Sequence, residues 1–368
     1  MATLQVMTQA ASKAEWQPLF PLPSRKAMEQ AYLSSDSSYD GIFYIAVKTT
    51  GIFCLPSCKA KKPLPENVKF FATIKEALFA GFRPCLRCKP MEQQAATPDW
   101  IRRVLHAVDA EPGRRFTDQD LRALDSDPVR VRRYFAKHFG LTFQAYCRGR
   151  RLSRALESIR NGSTLDNAVF DAGFASHSGF RESFANTFGQ PPGRFDALDP
   201  IQLAWIDTPL GPMIAGGVRN GLCLLEFTDR RMLETEMRFL RKHFSTATVP
   251  GESPHHALLR EDLQAYFAGQ GTTFSSKFLH VGTEFEQRVW EQLSLIPYGA
   301  TVSYEEIAHS VGSPGAVRAV GRANGLNRFA IVVPCHRVIG KNGDLTGYGG
   351  GLWRKRLLLE LERANAHA

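Results

Sequence analysis

Apolar residues recur along this chain with two different periods. Val131, Phe135 and Phe139 follow one another at helical spacing, as do Phe180, Phe184 and Phe188, so each set lines one face of a helix. Arg102, Arg103, Arg130, Arg132, Arg133, Arg148, Arg150 and Arg151 interleave with these stripes, which predicts an all-helical stretch over residues 98–200 with buried and basic faces. From Ile201 the pattern shortens. Leu203 to Thr208, Gly211 to Ala215 and Gly221 to Phe227 predict a small antiparallel sheet, with helices after it. Further on, Thr301 to Ala308 and Gly312 to Gly321 predict two short helices joined by a tight turn. Gly347 to Gly351 predicts a loop that lets backbone approach a ligand, and Trp353 to Glu362 a closing helix.

Breakers mark the boundaries. Lys89-Pro90 through Thr97-Pro98 is polar, alanine-rich and bounded by prolines, a linker by composition; Phe195 to Pro200 is a shorter one, and the first fifteen or so residues form a loose tail. A length of 368 residues suggests roughly two to four domains. The 43% hydrophobic content leaves ample material for their cores. The formal charge of +10 divides as +5 over residues 1–97, +3 over 98–200 and +2 over the remainder. Such a spread suits scanning of duplex DNA with strong salt dependence. It would also suit RNA or an anionic membrane surface, but no amphipathic anchor or hydrophobic span is present. Without a secretion signal, a reducing cytoplasm is the expected compartment.

Two cysteine constellations change this picture. Cys54 and Cys58, then Cys85 and Cys88, make a C-x3-C and a C-x2-C hook separated by twenty-six residues. Four thiolates suit tetrahedral zinc, and two hooks staple a small domain; spacing alone leaves open an inert structural metal or a pair of disulfides. At the other end Cys335 follows the apolar run Ile331-Val332-Val333 and Pro334 and precedes His336 and Arg337. A thiol beside an imidazole and a guanidinium is a reactive-cysteine environment, since the thiolate is the nucleophile. The alternative is a core cysteine. Cys223, in the apolar run Leu222 to Leu225, and Cys147 are expected to be structural.

The segment from the helix pair through Pro334-Cys335-His336-Arg337 to Glu362 resembles the O6-alkylguanine-DNA alkyltransferases over about the last 85 residues. That resemblance implies that Cys335 takes the methyl group from O6 of guanine, that His336 accepts the thiol proton through a water, and that Glu362 orients the imidazole. It implies further that Arg318 is the finger that fills the stack left by a flipped base, that Tyr304 turns the target phosphate, and that Asn327 is the hinge asparagine. Residues 20–92, with Phe43 to Cys54 and Gly81 to Cys85, resemble the metal-binding domain of the Ada family. By that resemblance all four cysteines hold one Zn2+, and Cys54 removes methyl from a phosphotriester. Ala168 to Phe174, Ser178 to Arg181 and Gly189 to Pro192 resemble the second helix-turn-helix of the AraC-type regulators. The first half departs from that pattern: Thr117 to Pro128 is one residue short, Arg122 replaces a small packing residue, and Asp127 stands at the customary capping serine. Aspartate caps equally well, so a recognition helix starting at Pro128 and offering Arg130, Arg132 or Arg133 to a major groove is expected.

Together the resemblances imply a multidomain α+β protein. A flexible tail (1–19) precedes a small zinc-bound α/β domain (20–92), a linker (93–99) and an all-α double helix-turn-helix domain (100–198). An alkyltransferase follows, with a ribonuclease H-like N-terminal part (201–282) and a winged-helix-like C-terminal part (283–366). The implied function is single-turnover repair of O6-methylguanine, O4-methylthymine and methylphosphotriesters, with the methylated form activating transcription of the alkylation response. Implied partners are alkylated and promoter duplex DNA and RNA polymerase, with no membrane, no organic cofactor and a monomeric, cytoplasmic protein. Two other readings remain open on the residues alone: a zinc-stabilised regulator without catalysis, and a cysteine hydrolase using Cys335 and His336.

Overall fold

A computed structural model describes residues 22–92, 97–139, 141–189, 191–192 and 198–366. The expected tail over residues 1–19 lies outside them, as do residues 93–96 and 195–197 of the two expected linkers and Gln190. The chain forms two compact units, residues 1–94 and 95–368.

The first unit is a four-stranded sheet between two helices. Helix α1 (Arg25–Ser34) starts at Ser24, whose hydroxyl accepts from the Ala27 amide. Strands β1 (Tyr44–Val47), β2 (Ile52–Cys54) and β3 (Val68–Phe71) are followed by α2 (Ile74–Phe79) and β4 (Arg83–Pro84). The spatial order is β3-β1-β2-β4, antiparallel except for the β2–β4 pair. Period-two alternation explains why both faces are covered. Phe43 and Ile45 pack with Met28, Ala31 and Tyr32 of α1, while Tyr44, Ala46 and Phe53 pack with Ala77 of α2.

The second unit opens with helices α3 (Asp99–Ala110), α4 (Asp118–Ala123), α5 (Pro128–Phe139), α6 (Phe143–Arg160), α7 (Leu165–Asp171) and α8 (His177–Phe188). The 18-residue α6 is shared by two cores. Its first half buries Phe143, Tyr146 and Cys147 against Ile101, Val104, Val131 and Phe135, and its second half buries Leu152 and Ala155 against Val169, Phe180 and Phe184. Both phenylalanine stripes therefore face inward. Helix α5 begins at Pro128, and Asp127 Oδ1 accepts from the Arg130 amide at 2.7 Å, so the aspartate caps it as serine would. Arg122 lies exposed and does not crowd the turn.

Next come β5 (Ile201–Ile206), β6 (Met213–Val218), β7 (Gly221–Phe227), α9 (Leu233–His243), β8 (Thr248–Pro250) and α10 (Pro254–Phe267). The three expected strands form a meander, and the unexpected β8 pairs parallel to β5, giving the order β7-β6-β5-β8. Three residues ending in proline carry too little periodicity to announce a strand. The edge strand β8 is covered by α6. Ser153 Oγ donates to the Pro250 carbonyl at 2.9 Å, and Phe139 stacks on Trp205 with centroids 4.6 Å apart. The helical stretch and the sheet are thus packed as one body. The remaining elements are α11 (Glu284–Ser294), β9 (Val302–Ser303), α12 (Tyr304–Ser310), α13 (Val317–Gly325), β10 (Val338–Ile339) and α14 (Leu352–Asn365), with β9 and β10 paired in parallel. Among the described residues no helix is long and apolar enough to cross a membrane.

Gly149 of α6 sits against this joint, where an added Cβ would lie 2.6 Å from the Pro250 ring. Alanine ordinarily stabilises a helix interior by up to about 1 kcal/mol over glycine. Here overpacking reverses the sign, and Gly149→Ala should destabilise by about 1–3 kcal/mol. Urea unfolding of the full chain checks this, and a raised midpoint would contradict it.

Candidate functional site

The cysteine hooks meet because the sheet brings their roots together. Cys54 ends β2 and Cys85 follows β4, its partner strand, and the Cys85 amide donates to the Phe53 carbonyl at 2.9 Å. Tight turns then bring in the second sulfur of each hook, with Cys58 N donating to Leu55 O at 3.1 Å and Lys89 N to Cys85 O at 3.0 Å. All four Sγ atoms lie within 4.8 Å of one another, and none of the cysteines is in a disulfide. A tetrahedron with Zn–S bonds of about 2.3 Å has S···S edges of about 3.8 Å, so the residues fit zinc. The donor set also calls for a cation. On their own the thiols cannot all ionise together: the sulfur hydrogen bond between Cys54 and Cys88 lowers the Cys88 thiol to about 5 while it, then burial and the neighbouring sulfurs, drive the Cys54 thiol far up. Leu55 N donates to Cys88 Sγ at 3.4 Å. Asp40, which nothing in the cysteine spacing announces, accepts from both the amide and the hydroxyl of Ser57 and so fixes the loop between Cys54 and Cys58. Burial raises its carboxyl to about 6.

The other thiol lies in a tight turn. Ile331, buried and β-branched, has φ of +75°, a strained conformation that bends the apolar run instead of letting it continue as a strand. A 3-10 turn over Cys335–Arg337 follows. Cys335 Sγ accepts a hydrogen bond of 3.1 Å from Asn327 Nδ2, which also donates to the Val333 carbonyl at 2.9 Å, while Asn327 Oδ1 accepts from Phe329 N. Behind it, fully buried Glu362 of α14 collects donors on both oxygens. Oε1 receives His336 Nε2 at 2.7 Å, the Tyr266 hydroxyl at 2.7 Å and Arg337 Nη2 at 3.0 Å; Oε2 receives Arg337 Nε at 2.8 Å and the Gly299 amide at 3.2 Å.

These contacts set the protonation states. Burial alone would raise Glu362, but the hydrogen bonds and charges of His336 and Arg337 outweigh it and hold the carboxyl well below the usual range. Burial pushes His336 below its ordinary value despite the carboxylate, so the imidazole is neutral near pH 7. Nε2 then carries the proton donated to Glu362, leaving Nδ1 as a basic nitrogen that is buried and without a partner in the protein. Burial also raises the Cys335 thiol, against the Asn327 hydrogen bond, which lowers it. This corrects the expectation from the Cys-His-Arg run. Arg337 is engaged by Glu362 and by the Ile296 carbonyl at 2.6 Å, and the resting group at Cys335 is a thiol.

The remaining expected residues lie as follows. Tyr304 begins α12, and its hydroxyl donates to the Thr346 and Gly347 carbonyls at 3.3 and 3.4 Å. Arg318 is exposed near the start of α13. Arg130 of α5 lies over the Trp100 ring at 4.4 Å, Arg132 pairs with Asp118, and Arg133 is exposed with no ion pair among the described residues. Tyr266 and Lys355 carry no motif in the sequence, and Arg337 reads there as a neighbour of Cys335 although its partner is Glu362. Lys355 is fully buried, donates to the Val338 and Thr346 carbonyls at 2.5 Å each, and is lowered to about 8 by burial. Its one signal in the sequence is a cation just ahead of the apolar run Leu357-Leu358-Leu359.

Comparison with known proteins covers the same regions. The metal binding domain of Ada matches residues 27–91, a helix-turn-helix domain matches 122–197, and the DNA binding domain of 6-O-methylguanine DNA methyltransferase matches 284–364. The chain is 35% identical over 348 residues to the bifunctional transcriptional activator/DNA repair enzyme Ada of Escherichia coli, covering 91% of this chain and 96% of that protein. It is 35% identical to the regulatory protein ada of Salmonella typhimurium, covering 89% and 93%. To the methylated-DNA–protein-cysteine methyltransferase of Mycobacterium bovis it is 50% identical over 46% of this chain and 96% of that one. With a four-cysteine cluster, a double helix-turn-helix and a Cys-His-Glu site joined in one chain, and with end-to-end identity of that order, the chain belongs to the Ada family.

Proposed function

We propose that Cys335 and Cys54 are the two methyl acceptors of this protein, which is a DNA repair methyltransferase and an AraC-type transcriptional activator with a zinc-binding domain. The observation that carries the first assignment is the buried pairing of Cys335 with Asn327 and of His336 with Glu362, which leaves a basic Nδ1 on the residue that follows a protonated thiol in sequence. A water joining Nδ1 to Sγ would take the thiol proton as the sulfur attacks. The S–CH3 bond forms while the bond from O6 breaks, the electron pair returns to the base, and the guanine anion takes a proton on N1 from solvent water. Glu362 stabilises the imidazolium that results. O4-methylthymine presents the same alkoxy carbon. The thioether is stable and no neighbouring group can remove the methyl, so each thiol acts once.

The lesion lies inside a duplex and must be extruded, at a cost of a few kcal/mol. In this reading Arg318 fills the gap and Tyr304 turns the phosphate; the exposure of Arg318 on α13 and the contact of the Tyr304 hydroxyl with the loop at Gly347 support it. In residues 20–92, Cys54, Cys58, Cys85 and Cys88 would hold zinc, which when bound keeps their sulfurs as thiolates. Cys54, half-buried at the end of β2, accepts the methyl of a neutral phosphotriester and releases the phosphodiester. The transfer removes one negative charge from the cluster and lessens its repulsion of phosphate, so methylation favours promoter binding. Residues 100–198 supply the helix-turn-helix contacts, with Arg133 the unengaged candidate on α5 and Arg130 and Arg132 able to join on release from Trp100 and Asp118. Residues 201–282 and 283–366 form the alkyltransferase. RNA polymerase as partner and a cytoplasmic monomer complete the reading.

Mass spectrometry after incubation with DNA carrying O6-methylguanine and methylphosphotriesters should find one methyl on Cys335 and one on Cys54. Cys335→Ala and Cys54→Ala should each lose only their own. Catalytic ester turnover with both thiols unmodified would support a hydrolase instead.

Glu362→Gln should slow methyl transfer to Cys335 by about 100-fold, within the range of general-base effects. For the wild type, the His336 contribution to the rate should be level around neutrality and fall only below pH 6.5, because burial lowers the imidazole and it must be neutral to accept a proton. A fall beginning above that pH would contradict the assignment.

Cys85→Ser should reduce bound zinc well below one per chain and make residues 20–92 sensitive to protease, since metal binding and folding are linked in small domains. Full zinc content by elemental analysis would contradict the four-sulfur site.

A further inference from the structure

Arg230 lies in the turn between β7 and α9, outside every motif above. It is buried together with two carboxylates that are almost wholly enclosed, Glu226 of β7 and Glu236 of α9, at 2.6 and 2.8 Å. Pairing alone would satisfy the charge, yet the guanidinium also reaches the helical part of the alkyltransferase. Nη2 donates to the Gly325 carbonyl at 2.7 Å, the last residue of α13, and Nη1 to the Asn327 carbonyl at 3.2 Å. A cation at the carboxyl end of a helix is favourably placed against its dipole. The main chain on the far side of Asn327 is tied to the same strand, with Leu225 N donating to Arg328 O at 2.7 Å and Ala330 N to Leu225 O at 2.9 Å. Gly349 presses on the guanidinium, where an added Cβ would sit 2.6 Å from Nη1.

We propose that Arg230 is a positioning residue for methyl transfer: by holding the Gly325 and Asn327 carbonyls it fixes the turn from which Asn327 reaches the Cys335 sulfur. The inference rests on the reading of Cys335 as methyl acceptor. Three elements converge on the guanidinium: the end of the helix that carries Arg318, the asparagine that bonds the thiol, and the glycine loop facing Tyr304. Releasing it would loosen all three at once. Its charge adds a second, separable effect. Cys335 is raised first by burial and also by Glu226, and lowered by Asn327, Arg230 and Lys355, with His336, Tyr304 and Tyr348 the other titratable groups around it. Loss of the Arg230 cation should move thiol ionisation to higher pH, by less than a full charge because Glu226, which burial raises to about 8 and Arg230 lowers, becomes neutral with it; lysine, keeping the charge but lacking the fork, should leave it in place.

The experiment is the single-turnover rate of Cys335 methylation by an O6-methylguanine duplex, read by peptide mass spectrometry on the full-length zinc-loaded protein from pH 6 to 9. Wild type, Arg230→Met and Arg230→Lys are compared, each with a thermal unfolding curve. Arg230→Met should be slower by about 10- to 100-fold at saturating DNA, as misplacement by about 1 Å can cause, and its pH profile should shift upward. Arg230→Lys should recover part of the rate with the wild-type pH profile. A wild-type rate in a folded Arg230→Met protein, or a loss that matches its unfolded fraction with an unmoved profile, overturns the proposal. If the methionine variant does not fold, Arg230→Lys decides: a folded lysine variant at the full wild-type rate overturns the proposal, and a slower one supports it. A wild-type protein that takes up no methyl at Cys335 defeats the underlying reading instead.

Discussion

Glu362 is the constraint on which the alkyltransferase site depends. An ionised carboxylate with no exposed surface is costly unless every lone pair is engaged, and here five donors from four residues besides its own helix converge on it: His336, Tyr266, Arg337 twice, and the Gly299 amide. Those donors come from α10, from the turn before β9 and from the Cys335 turn, so the charge organises three separate segments around α14. The result is chemical as well as mechanical. One imidazole nitrogen is committed to the carboxylate, which leaves the other basic. Arg337 has a supporting function in this arrangement, neutralising the carboxylate without placing a second cation against the thiol.

The zinc-binding unit solves the opposite electrostatic problem. Four thiols within 4.8 Å cannot all ionise without a cation, whereas the Cys335 thiol stays protonated by burial and ionises when a base accepts its proton. On the function proposed above, two ways of making a sulfur nucleophile coexist in one chain. One uses a metal to keep thiolates standing; the other uses a neutral histidine to create a thiolate on demand. The packing of α6 on β8 adds a physical link between the helix-turn-helix cores and the alkyltransferase sheet, through Ser153, Gly149 and the stacked pair Phe139 and Trp205.

Much of this was legible in the residues. Periodicity located the helices whose phenylalanines fill two cores, alternation located three strands of the second sheet, and the cysteine spacing located the metal cluster. Asp127 was readable as a cap because capping needs only a local oxygen. What could not be read was whatever depends on distant segments meeting. Strand β8 is three residues long and is defined by its partner. Arg337 looked like a neighbour of Cys335, but its side chain leaves the turn and answers to a glutamate twenty-five positions away. Arg230, Tyr266 and Asp40 lack any local motif, since their work is to satisfy or fix groups brought to them by the fold. Likewise, whether Arg130 and Arg132 face DNA or their own module is decided by Trp100 and Asp118, not by helical spacing.

The protonation of His336 is the central claim, and nitrogen NMR of the imidazole measures it directly. With selectively labelled histidine, assigned by a His336→Gln control, the ring nitrogens should report a neutral imidazole protonated at Nε2 with a bare Nδ1 around pH 7. An imidazolium at that pH, or a neutral ring protonated at Nδ1, would contradict the account, because neither could take a proton from the Cys335 thiol.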